Sequence, residues 1–296
     1  MSRRRTTAAV LLVLLAAWAS AETAGAAVPR LIFPVVAKVS YTNDFGAPRW
    51  QGSHEGNDIM AAKRSPVVAV ERGRVVKWTS SRSAGCMLYL HGRSGTTYMY
   101  VHLNNDRTLR NDNRGGCRNG IAYAPGLRSS QYVRPGQLIG YVGDSGDANG
   151  IASHLHFEVH PNGGRAVSPY RHLRRAAKHL FPRPRGTDPI GLRVQGTVVL
   201  TRDDLDPQRI AIRVSRVRMT NDWSVRPGRG VTLTLPAEAV LRRAVTSGEW
   251  TPATIAEFKP GRVVRAWTPE FRPTLASARA RAGVHAARNV LLRLSR

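Results

Sequence analysis

The stretch S-H-L-H-F-E-V, residues 153–159, combines the alternation of a half-buried strand with two histidines two positions apart. Alternate residues of a strand face the same way, so His154 and His156 share one face while the apolar residues between them point to the core. The Cα atoms of these histidines would lie about 6.6 to 7 Å apart, so both imidazoles can reach one reaction centre. Glu158 and His160 continue the histidine face.

A second motif, S-H-E-G-N-D-I at residues 53–59, places a histidine and a carboxylate four positions apart. On a straight strand His54 and Asp58 would lie about 13 Å apart, too far to bind one ion. A helix would bring them together, but Gly56 and its neighbour Asn57 disfavour a helix. We therefore expect a bend at Gly56 that turns Asp58 back toward His54.

A third histidine, His102, ends the strand-like run Y-M-Y-V-H-L at residues 98–103. By alternation, Tyr98, Tyr100 and His102 share one face. We expect this face to line a cleft for a polar, polymeric substrate.

Together these motifs predict a metal centre. Any one of the histidines alone is more often a structural residue than a ligand. The joint occurrence of H-x-x-x-D, Y-x-H-L and H-x-H-F-E supplies imidazoles and a carboxylate for an ion and further imidazoles to move protons. Spacing alone does not say which of these side chains hold the metal: His54, Asp58, His102, His154 and His156.

From Val67 onward, short strands and turns follow one another without a long helical period. Within this region V-V-A-V (67–70) and R-V-V-K-W (74–78) are separated by Glu-Arg-Gly, which predicts a hairpin. We therefore expect a mainly β chain whose first domain, residues 31–173, is an antiparallel β-sheet.

The second half of the chain differs in composition. Residues 174–186 are a basic, Pro-containing linker, and residues 187–270 alternate like a small β barrel or sandwich, OB-like in its strand content. The stretch P-A-E-A-V-L-R-R-A (236–244) suggests a short helix. Residues 271–296 form an Arg-rich tail whose spaced leucines and valines suggest a basic C-terminal helix.

The first 26 residues have the features of a signal peptide. Arg3, Arg4 and Arg5 precede an uncharged stretch from Ala8 to Ala19, and small residues follow with two A-x-A sequences. The apolar stretch is shorter than the ~20 residues that span a bilayer. We therefore expect an exported protein, secreted or bound to the cell envelope.

The two cysteines, Cys86 and Cys117, are expected to form a disulfide in an oxidising compartment. Cys117 lies in a polar, Gly-rich loop that such a bond would fix. The alternative is two free thiols, and a metal-ligand role is disfavoured because no second cysteine lies at ligand spacing.

The formal charge of +26 comes mostly from arginines spread along the chain. Such an excess favours an anionic partner, either a polymer, a lipid surface or nucleic acid. The signal peptide argues against nucleic acid. The alternative is that the arginines reflect coding bias and keep the surface soluble.

Taken together, the motifs resemble the lysostaphin-type (LytM) zinc endopeptidases of bacterial cell-wall metabolism. The resemblance covers residues 34–173 and includes H-E-G-N-D-I, P-V-V-A-V, Y-V-H-L, P-G-Q-L-I-G and H-L-H-F-E, in that order. It implies a zinc ion bound by His54, Asp58 and His156, with a water in the fourth position. It assigns His102 and His154 as catalytic imidazoles.

The resemblance implies a zinc-dependent endopeptidase that hydrolyses peptide bonds in the cross-links or stems of peptidoglycan. Some relatives lack ligands and activate other wall hydrolases, but this chain keeps all five positions. One departure is the segment 104–131, which is longer than the connection usual in the family. We expect it to form a wall of the cleft or to restrict entry.

Two other functions remain open from the sequence. The chain could be a non-enzymatic regulator of other cell-wall hydrolases that uses the same cleft to bind a partner. It could instead be a binding protein for anionic cell-wall polymers or a membrane surface, acting through its basic C-terminal half. Zinc content and hydrolysis of purified walls separate the enzyme from both.

Overall fold

The computed structural model describes residues 28–50, 52–183, 189–219, 224–245, 249–271, 284–286 and 289–293. The expected signal peptide, residues 1–26, lies outside the described residues. No helix within these ranges is long and apolar enough to cross a membrane.

The described chain is mainly β, as expected. One α-helix, α1 (Tyr170–Arg175), is present in the described ranges. The strands of the first half are β1 (Val39–Ser40), β2 (Pro48–Arg49), β3 (Gly52–Ser53), β4 (Asn57–Ala61), β5 (Pro66–Val68), β6 (Gly73–Ser81), β7 (Gly85–Gly92), β8 (Thr97–Leu103), β9 (Tyr132–Val133), β10 (Leu138–Tyr141) and β11 (His154–His160). Those of the second half are β12 (Leu192–Arg202), β13 (Gln208–Met219), β14 (Ser224–Val225), β15 (Arg229–Leu235), β16 (Val240–Ala244), β17 (Trp250–Pro252), β18 (Val263–Trp267), β19 (Val284–Ala286) and β20 (Asn289–Arg293).

The first half is built on an antiparallel sheet of seven described strands, in the order β1-β4-β11-β8-β7-β6-β9. Strand β11 lies between β4 and β8, so strands far apart in sequence meet at its two edges. One face of the sheet packs on an apolar core that includes Leu88, Tyr100, Leu155 and Phe157. This arrangement confirms the predicted antiparallel β domain.

The hairpin expected between residues 67–70 and 74–78 is wrong. Strand β5 pairs with β10, whereas β6 pairs with β7 and β9. The two runs are adjacent in sequence, but each finds its hydrogen-bonding partner farther along the chain. Alternation predicts that a strand exists and does not identify its partner.

The described strands of the second half join into one nine-stranded sheet with its own core. The expected OB-like barrel or sandwich is therefore not confirmed. The short helix expected at residues 236–244 is wrong, because β16 occupies residues 240–244. The C-terminal helix is wrong for residues 284–286 and 289–293, which form β19 and β20. Short apolar runs suit a strand as well as a helix, and pairing of β20 with β18 and β16 decides for the strand.

The predicted linker takes part in both halves. Ala177 bridges to Ile32 of the first half, whereas Leu180 and Phe181 are fully buried in the core of the second. The halves also touch where the Arg229 guanidinium lies 5.6 Å from the centre of the Phe33 ring. The domain limits given above remain a prediction.

The disulfide between Cys86 and Cys117 is present, as predicted, and ties β7 to the long segment 104–131. The same segment is held by a buried ion group in which Lys63 donates to both Asp106 and Asp144. The Asp106 carboxylate also accepts the backbone N–H groups of Asp112 and Asn113, at 2.7 and 2.6 Å. The inserted segment is therefore fixed by a covalent bond and by a buried carboxylate.

We predict that Cys86→Ala with Cys117→Ala lowers the free energy of unfolding of the first half. A loop of 31 residues lies between the lengths for which chain entropy gives about 3 and about 4.7 kcal/mol. Urea unfolding followed by tryptophan fluorescence measures the loss. A reductant should destabilise the native chain and leave the double variant unchanged. Equal midpoints for both proteins would contradict the prediction.

Candidate functional site

The register of β11 brings the histidine and carboxylate motifs together. His156 lies directly opposite Asp58 of β4 on one side and Val101 of β8 on the other. Opposed residues of an antiparallel pair have Cβ atoms about 4.5–5.5 Å apart. The shared face expected for His154 and His156 is observed, and Leu155, Phe157 and Val159 are fully buried behind it.

The expected bend between His54 and Asp58 is also observed. His54 precedes β4, Gly56 lies in the bend, and Asp58 is the second residue of the strand. A Cβ atom on Gly56 would lie 2.7 Å from His156 Nε2 and 2.7 Å from the carbonyl oxygen of Phe157. Glycine is therefore required here because β11 passes close to the bend.

Three atoms that could bind a metal ion converge between the bend and β11. His54 Nε2 lies 2.9 Å from His156 Nδ1 and 3.2 Å from Asp58 Oδ1, and the last two are 3.0 Å apart. Atoms bound at ~2.0 Å around a tetrahedral ion are roughly 3.3 Å from one another. His54, Asp58 and His156 thus form a group that could hold a metal ion.

In His54 and His156, the outer ring nitrogen, which is the one that points away from the three converging atoms, contacts a hydrogen-bond acceptor. His54 Nδ1 lies 2.8 Å from the backbone carbonyl of Asp44, and His156 Nε2 lies 2.9 Å from the Glu158 carboxylate. Because a carbonyl or carboxylate oxygen accepts, the outer nitrogen carries the proton in both rings. The inner nitrogens, His54 Nε2 and His156 Nδ1, are then the ones able to bind a cation.

His102 reaches the cleft through a β-bulge. Cys86 pairs with Leu103 and Leu88 pairs with Tyr100, so two residues of β8, Val101 and His102, oppose one residue of β7. His102 has a φ of 59°, in the left-handed region. Bulges of this kind redirect a side chain next to a functional site.

The cleft face predicted for Tyr98 and Tyr100 is wrong. Both tyrosines are fully buried in the core, and Met99 and Val101 line the cleft instead. The bulge turns His102 to the cleft side, although it would share the tyrosine face on a regular strand. Strict alternation does not predict such a reversal.

The two remaining imidazoles are oriented in the same way as the first two. His102 Nδ1 donates to the carbonyl oxygen of Ser145 at 2.9 Å, and His154 Nδ1 donates to that of Ala152 at 2.9 Å. Their ring centres are 5.0 Å apart. Each therefore directs its Nε2 to the cleft, and both rings are buried.

The surroundings shift the pKa values of the titratable groups in the site in different directions. Burial, together with the neighbouring His154 and His156, lowers the pKa of His102 to about 4, so that its imidazole is neutral at pH 7. Burial opposes the ionisation of Asp58, but the hydrogen bond from His156 and the neighbouring His54 and His154 hold its pKa far below the usual range. In the same way, hydrogen bonds from His156 and His160 overcome burial and lower the pKa of Glu158 to about 2.

His156 has the opposite shift. Burial disfavours its charged form, but hydrogen bonds to Asp58 and then Glu158 outweigh burial and raise its pKa to about 9. The site thus holds two ionised carboxylates and attracts positive charge. A metal ion bound here would take the place of the proton on His156 Nδ1.

Several residues that shape the site were missed by sequence reasoning. The Asp44 carbonyl and the Ser145 carbonyl orient imidazoles through backbone atoms, which every residue type possesses. Arg49 Nη2 donates to Asp58 Oδ2 at 2.8 Å and leaves Oδ1 for the group of donor atoms. Glu158 lies on the histidine face, but alternation alone does not predict its contact with His156.

The Ser145 side chain fixes the carbonyl that His102 uses. Its hydroxyl donates to the carbonyl oxygen of Leu103 at 2.6 Å and accepts the N–H of Cys86 at 2.9 Å. A Cβ atom on Gly85 would lie 2.4 Å from the Ser145 carbonyl carbon, which explains the glycine at that position. Ser145 therefore links β7, β8 and His102.

The site opens into a cleft of about 670 Å³. The cleft is lined by the three potential metal ligands and by His102 and His154. Arg49 and Glu55 also line it. Trp78 and Tyr89 line it as well, and their rings pack edge to face. The cleft is therefore polar around the donor atoms and aromatic along one side.

Two structures resemble the first half of the chain. A protein named as a putative glycyl-glycine endopeptidase lytM, from Ruminococcus gnavus ATCC 29149, is 26% identical; 49% of this chain and 59% of that chain align with a TM-score of 0.39. The catalytic domain of lysostaphin from Staphylococcus simulans is 23% identical; 47% of this chain and 92% of that chain align with a TM-score of 0.36.

Sequence comparison finds two further similarities. Residues 52–114 match the profile of Peptidase family M23. The L-Ala--D-Glu endopeptidase of Bacillus subtilis (strain 168) is 30% identical over 152 residues, which cover 48% of this chain and 41% of that protein. The chain thus spans less than half the length of this curated relative. Residues 52–114 are thus similar to Peptidase family M23, and about half of this chain is similar to an endopeptidase.

Proposed function

We propose that this chain is an exported zinc endopeptidase that hydrolyses peptide bonds in the cross-links or stems of peptidoglycan. The observation that carries the proposal is the convergence of four imidazoles whose outer nitrogens are all held by acceptors. The M23 match and the endopeptidase relative support the substrate class.

In this proposal His54 Nε2, His156 Nδ1 and Asp58 Oδ1 hold the zinc ion. Two nitrogens and one carboxylate oxygen are a ligand set found at catalytic zinc sites, which keep a further position open. A bound zinc ion would polarise the scissile carbonyl group and lower the pKa of a water toward ~7. Arg49 holds the other oxygen of Asp58 and so limits how that carboxylate can turn.

His102 and His154 transfer protons. Each presents its Nε2 to the cleft because its Nδ1–H is engaged with a backbone carbonyl. One neutral imidazole can take a proton from the attacking water. An imidazole that has gained a proton can donate to the carbonyl oxygen as negative charge develops there.

Export is supported by the signal-peptide pattern and by the disulfide. A bond between the only two cysteines of the chain persists in an oxidising compartment and is rare in reducing ones. We propose that the mature protein acts outside the cytoplasm, at the cell wall or envelope.

We predict that His54→Ala, Asp58→Ala and His156→Ala each lose bound zinc, because a three-ligand site cannot spare one donor. Metal analysis of the purified full-length variants is the measurement, and release of dye from labelled peptidoglycan follows the activity. His172→Ala, on α1, is the matched control and should keep one equivalent. One equivalent of zinc in all three ligand variants would refute the assignment.

We predict that His102→Ala and His154→Ala keep zinc and lose turnover. General acid–base groups commonly contribute about 10²–10⁴-fold to a rate. Peptidoglycan hydrolysis and zinc content should be measured on the same preparations. Native rates in both variants would show that these imidazoles are structural. Full zinc with no hydrolysis by the native chain would instead favour the regulatory function.

We predict that Ser145→Ala lowers kcat while zinc content stays at one equivalent. Without the hydroxyl, Ser145 loses its contacts with Leu103 and Cys86, so its carbonyl holds His102 less firmly. A displacement of a catalytic group by about 1 Å can lower a rate roughly 10²-fold. Ser153→Ala is the control, because its hydroxyl also donates to a backbone carbonyl, Ala61 O at 2.8 Å, without contacting an imidazole. An equal loss in both variants would mean that the effect of Ser145 is a general one on packing.

A further inference from the structure

One face of the second sheet carries arginines on three adjacent strands, β18, β12 and β13. Arg193, Arg213, Arg218 and Arg265 are exposed and Arg216 is partly buried. The residues that alternate with them point into the core and are buried, namely Val194, Val214, Val217, Val264 and Ala266. We call the five arginines, with Gln195, Thr197 and Trp267 between and beside them, the arginine face.

The strand register aligns these side chains in rows across the sheet. Arg193 lies opposite Arg218 on one side and Trp267 on the other. Gln195, in the next row, lies between Arg216 and Arg265. Neighbouring strands are about 4.8 Å apart and alternate residues about 7 Å apart, so the guanidinium groups are close to one another.

A bulge in β13 keeps the rows on one side of the sheet. Gln195 pairs with Arg216 and Gly196 with Val214, so Ser215 is the additional residue of β13. Arg213 and Arg218 are five residues apart, so on a strand without the bulge they would lie on opposite faces. The bulge therefore returns the later arginines to the exposed side.

None of the five arginines forms an ion pair with an acidic residue in the described part of the chain. The described ion pairs of the second half are Arg202 with Asp204 and Arg243 with Glu257, both elsewhere. Like charges directly opposite one another destabilise a sheet. The Arg193–Arg218 pair thus opposes folding, and a multivalent anion would relieve the repulsion.

We propose that the arginine face binds a linear polymer that carries phosphate groups. Arginine presents a planar fork of N–H donors that matches phosphate oxygens, and rows of forks on a rigid sheet can engage successive phosphates of one chain. The residues between the arginines, Gln195 and Thr197, are uncharged but can also donate hydrogen bonds. The face thus acts as a second binding surface, separate from the peptidase cleft.

A polymer fits this surface better than a lipid bilayer does. A surface that docks on a membrane commonly inserts apolar side chains between head groups. The rows themselves hold one aromatic residue, Trp267, which is half-buried. The positive charge instead runs across three strands and along β13, from Arg213 to Arg218, as an extended polyanion requires.

The test uses the full-length chain and long-chain inorganic polyphosphate as the probe. Arg193→Gln/Arg216→Gln/Arg265→Gln should weaken binding at least tenfold by titration calorimetry. Arg72→Gln/Arg93→Gln/Arg165→Gln removes the same charge from exposed positions of the first half and should change affinity less than twofold. Replacement of the three face residues by Lys keeps the charge and should restore affinity only in part, because the fork is lost.

Equal weakening by both glutamine triples would overturn the proposal and leave net charge as the cause. Loss of binding to anionic phospholipid vesicles, with polyphosphate binding unchanged, would overturn it in favour of a membrane. The face triple should unfold at or above the native temperature, since repulsion is removed. Should it fail to fold, the three single glutamine variants decide, because native affinity in all of them contradicts the proposal.

Discussion

The pairing of β11 with β4 is the constraint on which the rest of the site depends. It sets His156 opposite Asp58, two residues that are 98 positions apart in sequence. His54 reaches the same point only because Gly56 lets the bend lie against β11. A shift of one residue in this register would put His156 and Asp58 on opposite faces of the sheet. The strand pairing therefore brings two of the three proposed metal ligands together.

The second step is the orientation of the rings. All four imidazoles of the cleft use one nitrogen to donate to a fixed acceptor: the carbonyls of Asp44, Ser145 and Ala152 and the carboxylate of Glu158. Three present Nε2 to the cleft and His156 presents Nδ1. Such outer contacts commonly set the tautomer and direction of a metal ligand. The four acceptors thus determine which ring nitrogen of each imidazole faces the cleft.

Sequence reasoning was most successful where local periodicity and the tertiary structure agree. Strand β11 is regular, so alternation gave the correct faces for His154 and His156. It failed at β8, because a bulge and a positive φ at His102 reverse the face. It failed at residues 289–293, where pairing with two distant strands outweighs helical spacing. Ser145 and Asp44 were not identifiable, since they act through backbone carbonyls. The glycine at position 85 is the sequence feature that reflects the position of Ser145, because a Cβ atom there would overlap the Ser145 carbonyl carbon.

The central claim is that outer hydrogen bonds select which nitrogen of each histidine faces the cleft. Long-range ¹H–¹⁵N NMR correlations of the zinc-loaded, full-length protein at neutral pH test it most directly. The account predicts zinc on His54 Nε2 and His156 Nδ1, with a proton on Nδ1 and none on Nε2 of His102 and His154. Zinc on His156 Nε2, or a proton on His102 Nε2 with none on its Nδ1, would contradict it.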